Sequence, residues 1–205
     1  MSGEVRDTLR FLQTENARLK EENRELREEN TTLRQVLDAL RTLQDVSASV
    51  TTETNAIALL DRILESALTT ISATAGSLVL IDDENGELVF AVVHGAAREA
   101  LTNYRLPPGT GIAGWVARHV EPVIIANARS DPRFSPSVDE HFHFTTRSML
   151  CVPIATSRKV MGVLSALNKT DGKEFTPADL ALLAVVAQLA ATAMERAETK
   201  APQPA

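Results

Sequence analysis

Apolar residues recur in a seven-residue pattern along the first forty positions of the chain. Leucine occupies every seventh position from Leu12 to Leu40, and a second row, midway between, contains three asparagines. The two rows are Leu9, Leu12, Asn16, Leu19, Asn23, Leu26, Asn30, Leu33, Leu37 and Leu40. Such a heptad predicts a left-handed coiled coil. Because a buried asparagine is satisfied by its counterpart in the partner helix, we expect a parallel, in-register homodimer with this seam.

Charged residues flank the seam as a parallel pair requires. The attractive pairs between the two helices are Glu15–Lys20, Glu22–Arg27 and Glu29–Arg34. Each exposed pair contributes only about 0.2–1 kcal/mol, but all three favour the same register. Basic-zipper proteins carry a Lys- and Arg-rich stretch before the zipper, and only eight residues precede Leu9. We therefore expect no binding to DNA through this helix.

The apolar row shifts after Leu40, because the next apolar residue, Leu43, follows after three positions where four are due. Such a stammer either overwinds the helix or ends the zipper. We expect a break near residues 51–54; one continuous helix through 43–55 is the alternative. The predicted organisation is a coiled-coil dimerisation helix over 1–50, a globular domain over 55–198 and a disordered tail over 199–205.

The pattern changes after residue 55 to a mixture of helical and alternating periods. Helical spacing predicts helices over 55–73 and 112–119, and a Thr-Pro-Ala-Asp cap at 176–179 predicts a final helix to about residue 198. Runs rich in β-branched residues predict strands over 77–81, 87–93, 122–126, 147–155 and 159–169. Asn85-Gly86 predicts a hairpin between the first two strands. Helices around a mostly antiparallel sheet give an α+β domain.

Composition narrows the classes of function. With 44% hydrophobic and 23% charged residues among 205, the chain can form a packed core. A net charge of −6 argues against a nucleic-acid partner, since phosphate neutralisation needs clustered Lys and Arg. No apolar run reaches about 18 residues and the first ten residues lack a signal-peptide pattern. We expect a cytoplasmic protein without a membrane partner.

Two motifs suggest binding sites but leave alternatives open. Gly109-x-Gly111-x-x-Gly114 matches the dinucleotide fingerprint, yet Pro107-Pro108 stands where a buried strand should end, so we reject a Rossmann site. A glycine turn leading into a helix still leaves N–H groups for an anion; a turn that only redirects the chain is the alternative. The long stretch 127–146 predicts a lid over a pocket or, alternatively, a loop whose aromatics complete the core.

Metal and nucleophile chemistry have little support. His141-x-His143 offers two metal ligands, but no third ligand is spaced to join them, so no metal site is expected. Cys151 is the only cysteine and lies in an apolar strand pattern, where we expect it to be buried and inert. The sequence contains no convincing set of nucleophile, base and orienting residue. We predict no catalytic residues.

Several segments lie in a fixed order between residues 55 and 194. They are PPGTGIAGWVA (107–117), DPRF (131–134), Val138-Asp139, FTTRSMLCVPI (144–154), VMGVL (160–164) and Asn168-Lys169 with Phe175 and Asp179. In this order and spacing they resemble the GAF domain family, especially the regulatory domains of cyclic-nucleotide phosphodiesterases and bacterial cyclases. The last group resembles the N-K…F…D-E signature of the cyclic-nucleotide-binding members.

The resemblance implies a six-stranded antiparallel sheet with flanking helices and a small-molecule pocket covered by loops. The ligand-binding positions that it implies are Ser77, Val93, His94, Ile112, Ala113, Phe134, Glu140, Thr146 and Ser165. Ile112 and Ala113 would offer backbone N–H groups to a phosphate. The structural motif would comprise Asn168, Lys169, Phe175 and Asp179, with an ion pair between Lys169 and Asp179 near the pocket.

Four positions depart from the family pattern. Leu180 replaces the final Glu of the signature, and Ser135 stands where relatives often stack an aromatic ring on the purine. Phe142 occupies a position that is commonly small and polar, and Ser165 replaces an acidic residue that often helps to hold the base. The pocket could therefore hold a cyclic nucleotide, another small metabolite or nothing.

Three classes of function remain. In the first, the chain is a sensory homodimer whose pocket binds a small effector and whose coiled coil couples it to an unknown downstream signalling protein. In the second, it is a dimerisation or scaffold module that binds no ligand. The third is an enzyme such as the GAF-type methionine sulfoxide reductases, which need several reactive cysteines. Because Cys151 is alone, we expect no enzyme, and we expect no cofactor beyond the effector.

Overall fold

A computed structural model of the chain describes residues 10, 12–24 and 53–200. The chain divides into two units, residues 1–38 and 39–205. In the first unit, residues 12–24 form helix α1. Leu12 and Leu19 are 57% and 48% exposed on this helix. The remaining seam positions, Leu9, Leu26, Asn30, Leu33, Leu37 and Leu40, lie outside the described residues, as does the junction at 43–52, so the coiled coil stays a prediction.

Six antiparallel strands form the sheet of the second unit. They are β1 (Ala73–Ile81), β2 (Leu88–His94), β3 (Arg105–Leu106), β4 (Val123–Ile125), β5 (Met149–Ala155) and β6 (Val160–Lys169). Their order in the sheet is β3-β2-β1-β6-β5-β4. The prediction of a six-stranded antiparallel sheet with flanking helices is confirmed.

Two long helices cover one face of this sheet. They are α2 (Glu53–Thr70) and α6 (Pro177–Lys200). Because side chains alternate along a strand, one set of strand residues, including Leu78, Val152 and Leu164, packs with these helices in the largest core cluster. Over Pro177–Ala197, α6 is long and apolar enough to cross a membrane, a property that it shares with buried core helices. Its inner side is buried in the same core cluster.

Three short helices accompany the opposite face. They are α3 (Arg98–Leu101), α4 (Gly111–His119) and α5 (Ser137–Phe142). Val116 of α4 packs with Cys151 and Val163 of the sheet, in a core cluster separate from that of α2 and α6. The sequence predicted α4 but not α3, β3 or α5, because these short elements show neither a helical period nor a β-branched run like the one that predicted the three-residue strand β4. Residues 127–146, predicted as irregular, also contain a 3-10 turn at Ala128–Ser130.

The predicted hairpin between β1 and β2 is present. Gly86 adopts a φ of +74°, which glycine tolerates without steric cost. The carboxylate of Asp82 accepts a hydrogen bond from the backbone N–H of Glu84 at 3.0 Å. Arg105 of β3 donates to Asp82 at 2.7 Å and to Glu87 at 2.8 Å, so it holds both ends of the turn. The guanidinium hydrogen bond to Asp82 lowers the pKa of that carboxyl.

Candidate ligand-binding site

A partly open cavity of about 110 Å³ lies on the sheet face opposite α2 and α6. Strands β1, β2 and β6 contribute to it, as do α3, the beginning of α4 and the segment 134–146. These elements are far apart in sequence and meet only because the sheet places β1 between β2 and β6. The lining is mainly apolar, and four phenylalanines belong to it: Phe90, Phe134, Phe142 and Phe144.

The structure brings eight of the nine predicted ligand-binding residues together around this cavity. They are Ser77, Val93, His94, Ile112, Ala113, Phe134, Thr146 and Ser165. Glu140 does not line the cavity and is exposed on α5. Its neighbour Asp139 lines the cavity instead, because successive residues of a helix point about 100° apart. The ligand-binding role of Glu140 stays a prediction, while Asp139 of the Val138-Asp139 motif is the carboxylate that the structure places in the lining.

Two serines lie opposite each other in the part of the cavity that the sheet forms. Ser77 of β1 pairs with Ser165 of β6, and both are buried. The Ser165 hydroxyl lies 3.2 Å from the Cys151 sulfur, within hydrogen-bond distance. The Ser77 side chain is 6% exposed, lines the cavity and makes no hydrogen bond to the described residues. Its hydroxyl is therefore available to a molecule inside the cavity.

Helix α4 presents unpaired backbone N–H groups to the same cavity. Its first three residues, Gly111, Ile112 and Ala113, lie in the lining, and the first turn of a helix has no carbonyl partners for its N–H groups. The cap residue Thr110 uses its hydroxyl on the Pro107 carbonyl at 2.7 Å and does not cap the helix. This arrangement favours a ligand atom that accepts hydrogen bonds.

The glycine spacing at 109–114 has a structural explanation that differs from nucleotide binding. Gly109 and Gly111 have φ values of +75° and +67°. A Cβ atom on Gly114 would lie 2.2 Å from the carbonyl carbon of Gly109, so the helix and the turn before it approach too closely for any side chain. The motif thus forms a tight turn into α4. The sheet of this domain is antiparallel, whereas a Rossmann site requires a parallel sheet.

The Asp-Pro-Arg-Phe motif orients Phe134 toward the cavity. The Arg133 guanidinium makes two hydrogen bonds to the Asp131 carboxylate, at 2.9 and 2.7 Å. It also lies 4.5 Å from the centre of the Trp115 ring, which gives a cation–π contact with α4. The side-chain hydrogen bond from Arg133 lowers the pKa of Asp131. The motif therefore ties the segment before Phe134 to α4.

A buried carboxylate fastens the segment that covers the cavity. Asp139 is 5% exposed and accepts hydrogen bonds from the Thr146 backbone N–H at 2.8 Å and the Thr146 hydroxyl at 2.7 Å. Arg129 adds a weaker contact at 3.3 Å. These bonds connect the two ends of the segment 139–146. Its aromatic residues both line the cavity and pack in the core, so the two alternatives for this segment are both realised.

The His141-x-His143 pair follows a different pattern from a metal site, because His141 packs against aromatic rings. The ring of His141 stacks on Tyr104 at 5.6 Å between centroids, and Phe142 meets the same tyrosine edge-on at 5.0 Å. His143 follows α5 in a left-handed conformation with a φ of +52°. Among the described residues, no group of three or more His, Cys, Asp or Glu side chains could hold a metal ion.

His94 connects the cavity to α2. It lines the cavity, and its Nε2 atom lies 2.9 Å from the Asp61 carboxylate of α2 and 3.1 Å from the Asp61 carbonyl. Arg98 of α3 donates to the same carboxylate at 3.1 Å. A change in the position of His94 would therefore reach α2 through one side-chain contact.

The residues of the predicted structural motif lie outside the cavity lining. The Lys169 ammonium is 2.6 Å from the Asp179 carboxylate and 5.9 Å from the centre of the Phe175 ring. Asp179 also accepts from the Thr176 N–H at 2.7 Å, while Thr176 accepts from the Asp179 N–H at 3.2 Å, which completes the predicted capping box of α6. Asn168, with a φ of +53°, connects β6 to the chain before β5.

The single cysteine is unsuited to nucleophilic chemistry. Cys151 is fully buried, and burial raises the pKa of its thiol to about 12. Nucleophilic attack by cysteine requires the thiolate, which is negligible at neutral pH for a thiol of this pKa. Sequence reasoning placed this residue correctly in a buried strand. It did not identify Leu101 and Leu106 of the lining, because they lie in α3 and β3, which the pattern does not predict.

Comparison with known proteins agrees with this architecture. The model of the GAF domain family matches residues 55–194. The probable 3′,5′-cyclic phosphodiesterase pde-5 of Caenorhabditis elegans is 33% identical over 124 residues, which cover 56% of this chain and 17% of that protein. The dual 3′,5′-cyclic-AMP and -GMP phosphodiesterase 11A of Takifugu rubripes is 38% identical over 96 residues, 46% of this chain and 11% of that protein.

Solved structures share the fold at lower identity. The GAF domain from a phosphoenolpyruvate-protein phosphotransferase (ptsP) of Coxiella burnetii superposes with a TM-score of 0.68 at 20% identity, covering 80% of this chain and 97% of that one. The chain spans less than a fifth of the length of the two phosphodiesterases. Since the family model matches more than half of its residues, together with the sheet and cavity described above, this chain belongs to the GAF domain family.

Proposed function

We propose that this chain is a signal-transduction protein whose GAF domain binds a small effector in the cavity and passes the change to a separate protein. GAF domains are typically small-molecule sensing and regulatory modules, and the domain here is homologous to regions of cyclic phosphodiesterases. The observation that carries the proposal is the cavity itself, which contains an unused serine hydroxyl and the free N–H groups of α4.

The contact between His94 and Asp61 supports a route from the cavity to the rest of the chain. Asp61 lies on α2, the helix that follows the predicted coiled coil in sequence. An effector that displaces the His94 ring changes the only side-chain hydrogen bonds between α2 and the cavity lining among the described residues. The effector would thus act on α2 through this contact.

A parallel homodimer through α1 is part of the proposal. Leu12 and Leu19 are about half exposed and lie seven residues apart, on the same side of the helix. Burying such leucines against a second copy removes apolar surface from water at about 25 cal/mol per Å². Asn16 and Asn23, in the same seam, would fix the register of the pair.

We also propose that the domain has no catalytic activity of its own. The raised pKa of Cys151 removes the one thiol from redox chemistry at neutral pH. The Asp61–His94 pair makes no hydrogen bond to a hydroxyl or thiol of the described residues, and the Thr146 hydroxyl that donates to Asp139 fastens the cover of the cavity. The family's regulatory role is consistent with this proposal.

Isothermal titration of the full chain tests the sensing function. Cyclic GMP and cyclic AMP are the first ligands to try, because the relatives named above are cyclic phosphodiesterases and α4 offers N–H donors for a phosphate. Saturable binding of either nucleotide, or of a small molecule that copurifies with the protein, supports the proposal. A protein that copurifies with nothing and binds no small ligand would instead be a dimerisation scaffold.

A variant that fills the cavity provides the control for specific binding. Ser77→Leu places a larger side chain into the space and should abolish binding, while circular dichroism reports that the domain is folded. Ser66→Leu makes the same change on the exposed side of α2 and should leave binding intact. Equal binding by both variants would place the ligand outside the cavity and contradict the proposal.

A further inference from the structure

We infer that the effector is an uncharged molecule about the size of one aromatic ring that carries a single hydrogen-bonding group, of the kind that phenol represents. The inference rests on the proposed sensing function and specifies the ligand of that same cavity. Three observations lead to it: the volume of the cavity, the charge state of its lining, and the one polar side chain that has no partner.

The volume fits one ring. An engineered protein cavity of about 150 Å³ lined by Leu, Ile and Phe binds benzene. The cavity here is about 110 Å³. A cyclic nucleotide combines a base, a ribose and a cyclic phosphate, and it could enter only if the segment 134–146 moved outward. The hydrogen bonds of Asp139 to Thr146 oppose that movement.

The lining offers aromatic surface without a free charge. Phe90, Phe134, Phe142 and Phe144 surround the space, and aromatic rings pack favourably edge-to-face or in offset stacks. No Lys or Arg side chain belongs to the described lining. The two ionisable side chains there are already paired, Asp139 with Thr146 and Arg129, and His94 with Asp61. A charged ligand would lose its hydration without gaining an opposite side-chain charge, and the N–H groups at the start of α4 offer only a partial charge in return.

The polar side chains of the lining identify where the ligand forms its hydrogen bond. Besides the ionisable pair, the lining has five hydroxyl side chains, and four of them have partners within the domain. Thr110 donates to the Pro107 carbonyl and Thr146 donates to Asp139. Ser135 lies 3.0 Å from Ser137, and Ser165 lies 3.2 Å from Cys151.

Ser77 is the exception among these hydroxyls. Its side chain makes no hydrogen bond to the described residues although it is 94% buried, as its 6% exposure implies. Since no fully buried side-chain N or O atom in the described residues lacks a partner, the Ser77 hydroxyl must be open to the cavity, where a ligand hydroxyl can bond it and an apolar ring cannot. The cavity therefore selects a ring with one such group over a purely apolar ring of the same size.

Thermal shift and isothermal titration of the full chain test the inference with four probes. Phenol should bind saturably and raise the melting temperature. Toluene, which has the ring without the hydroxyl, should bind about fivefold more weakly, and benzoate, which adds a charge, should not bind measurably. Cyclic GMP, the fourth probe, should produce no saturable heat.

Two variants locate the hydrogen bond. Ser77→Ala should weaken phenol about fivefold and leave toluene within twofold, whereas Ser66→Ala on the exposed side of α2 should change neither. Phenol affinity that Ser77→Ala does not alter would overturn the assignment to Ser77. Binding of cyclic GMP in place of phenol would overturn the ligand class and leave the sensing function standing. Failure of every probe, together with an empty protein on copurification, would overturn both.

Discussion

Asp139 shows how a single buried side chain can organise the cover of a cavity. Its two carboxylate oxygens bond the backbone and the hydroxyl of Thr146, seven residues further along the chain. The neighbouring Glu140 is exposed and has none of these contacts. Sequence alone could not separate the two carboxylates, because they are adjacent and the six-residue helix α5 that orients them is too short to be predicted.

Replacing this carboxylate should weaken the whole domain. In Asp139→Asn one oxygen becomes an NH₂ group, which faces either the Thr146 N–H or its hydroxyl. We expect the free energy of unfolding to fall by about 1–3 kcal/mol, measured by urea denaturation. Glu140→Gln is the matched control and should change stability by less than about 0.5 kcal/mol. Equal effects of the two substitutions would contradict the role given to Asp139.

At the scale of elements, the predictable parts are those with a long local period. The strands β1, β2, β4, β5 and β6 and the helices α2, α4 and α6 were all predicted from the pattern of apolar and β-branched residues. The two-residue strand β3 is not, because it exists through its pairing with β2, where Leu106 lies opposite Leu88. Both kinds of element line the cavity. The family resemblance predicted most of the lining residues, whereas the part formed by α3, β3 and α5 could be seen only in the structure.

The pKa of one carboxyl, that of Asp82, reports the contact between β3 and the first hairpin. Arg105 lowers the pKa of Asp82 chiefly through a side-chain hydrogen bond. In Arg105→Gln, the pKa of Asp82 should rise toward its ordinary value of 3.8, as followed by NMR titration. A carboxyl whose pKa is lower in the folded than in the unfolded state stabilises the fold at pH values above the unfolded-state pKa. This stabilisation is lost as the pH falls through the folded-state pKa. The variant should therefore lose less stability than the parent on acidification in that range.

Arg62→Gln provides the comparison for this titration. Arg62 is exposed on α2 and has no ion pair within the described part of the chain. We expect the Asp82 titration curve of this variant to coincide with that of the parent. A pKa of Asp82 that is the same in all three proteins would mean that the ion pair with Arg105 does not persist in solution.

At the scale of the whole molecule, the chain combines a charged amphipathic helix with a domain that has its own core. A dimer through the first helix predicts a solution mass of twice 22.2 kDa by light scattering. Leu19→Glu places a charge in the seam and should shift the mass toward a single chain. Thr14→Glu makes a similar change at an exposed position outside the seam and should leave the dimer intact. A parent protein with the mass of one copy would refute the coiled coil.

The burial of Cys151 makes its thiol a probe of opening and ligand binding in this protein. As the only thiol, it sits beneath the cavity with its sulfur beside Ser165, so a maleimide can reach it only when the sheet opens. The rate at which maleimide labels the native chain therefore reports how often the sheet opens, and no engineered cysteine is needed. A bound guest should slow the reaction in proportion to its occupancy, whereas a compound that binds elsewhere without stabilising the fold should leave the rate unchanged.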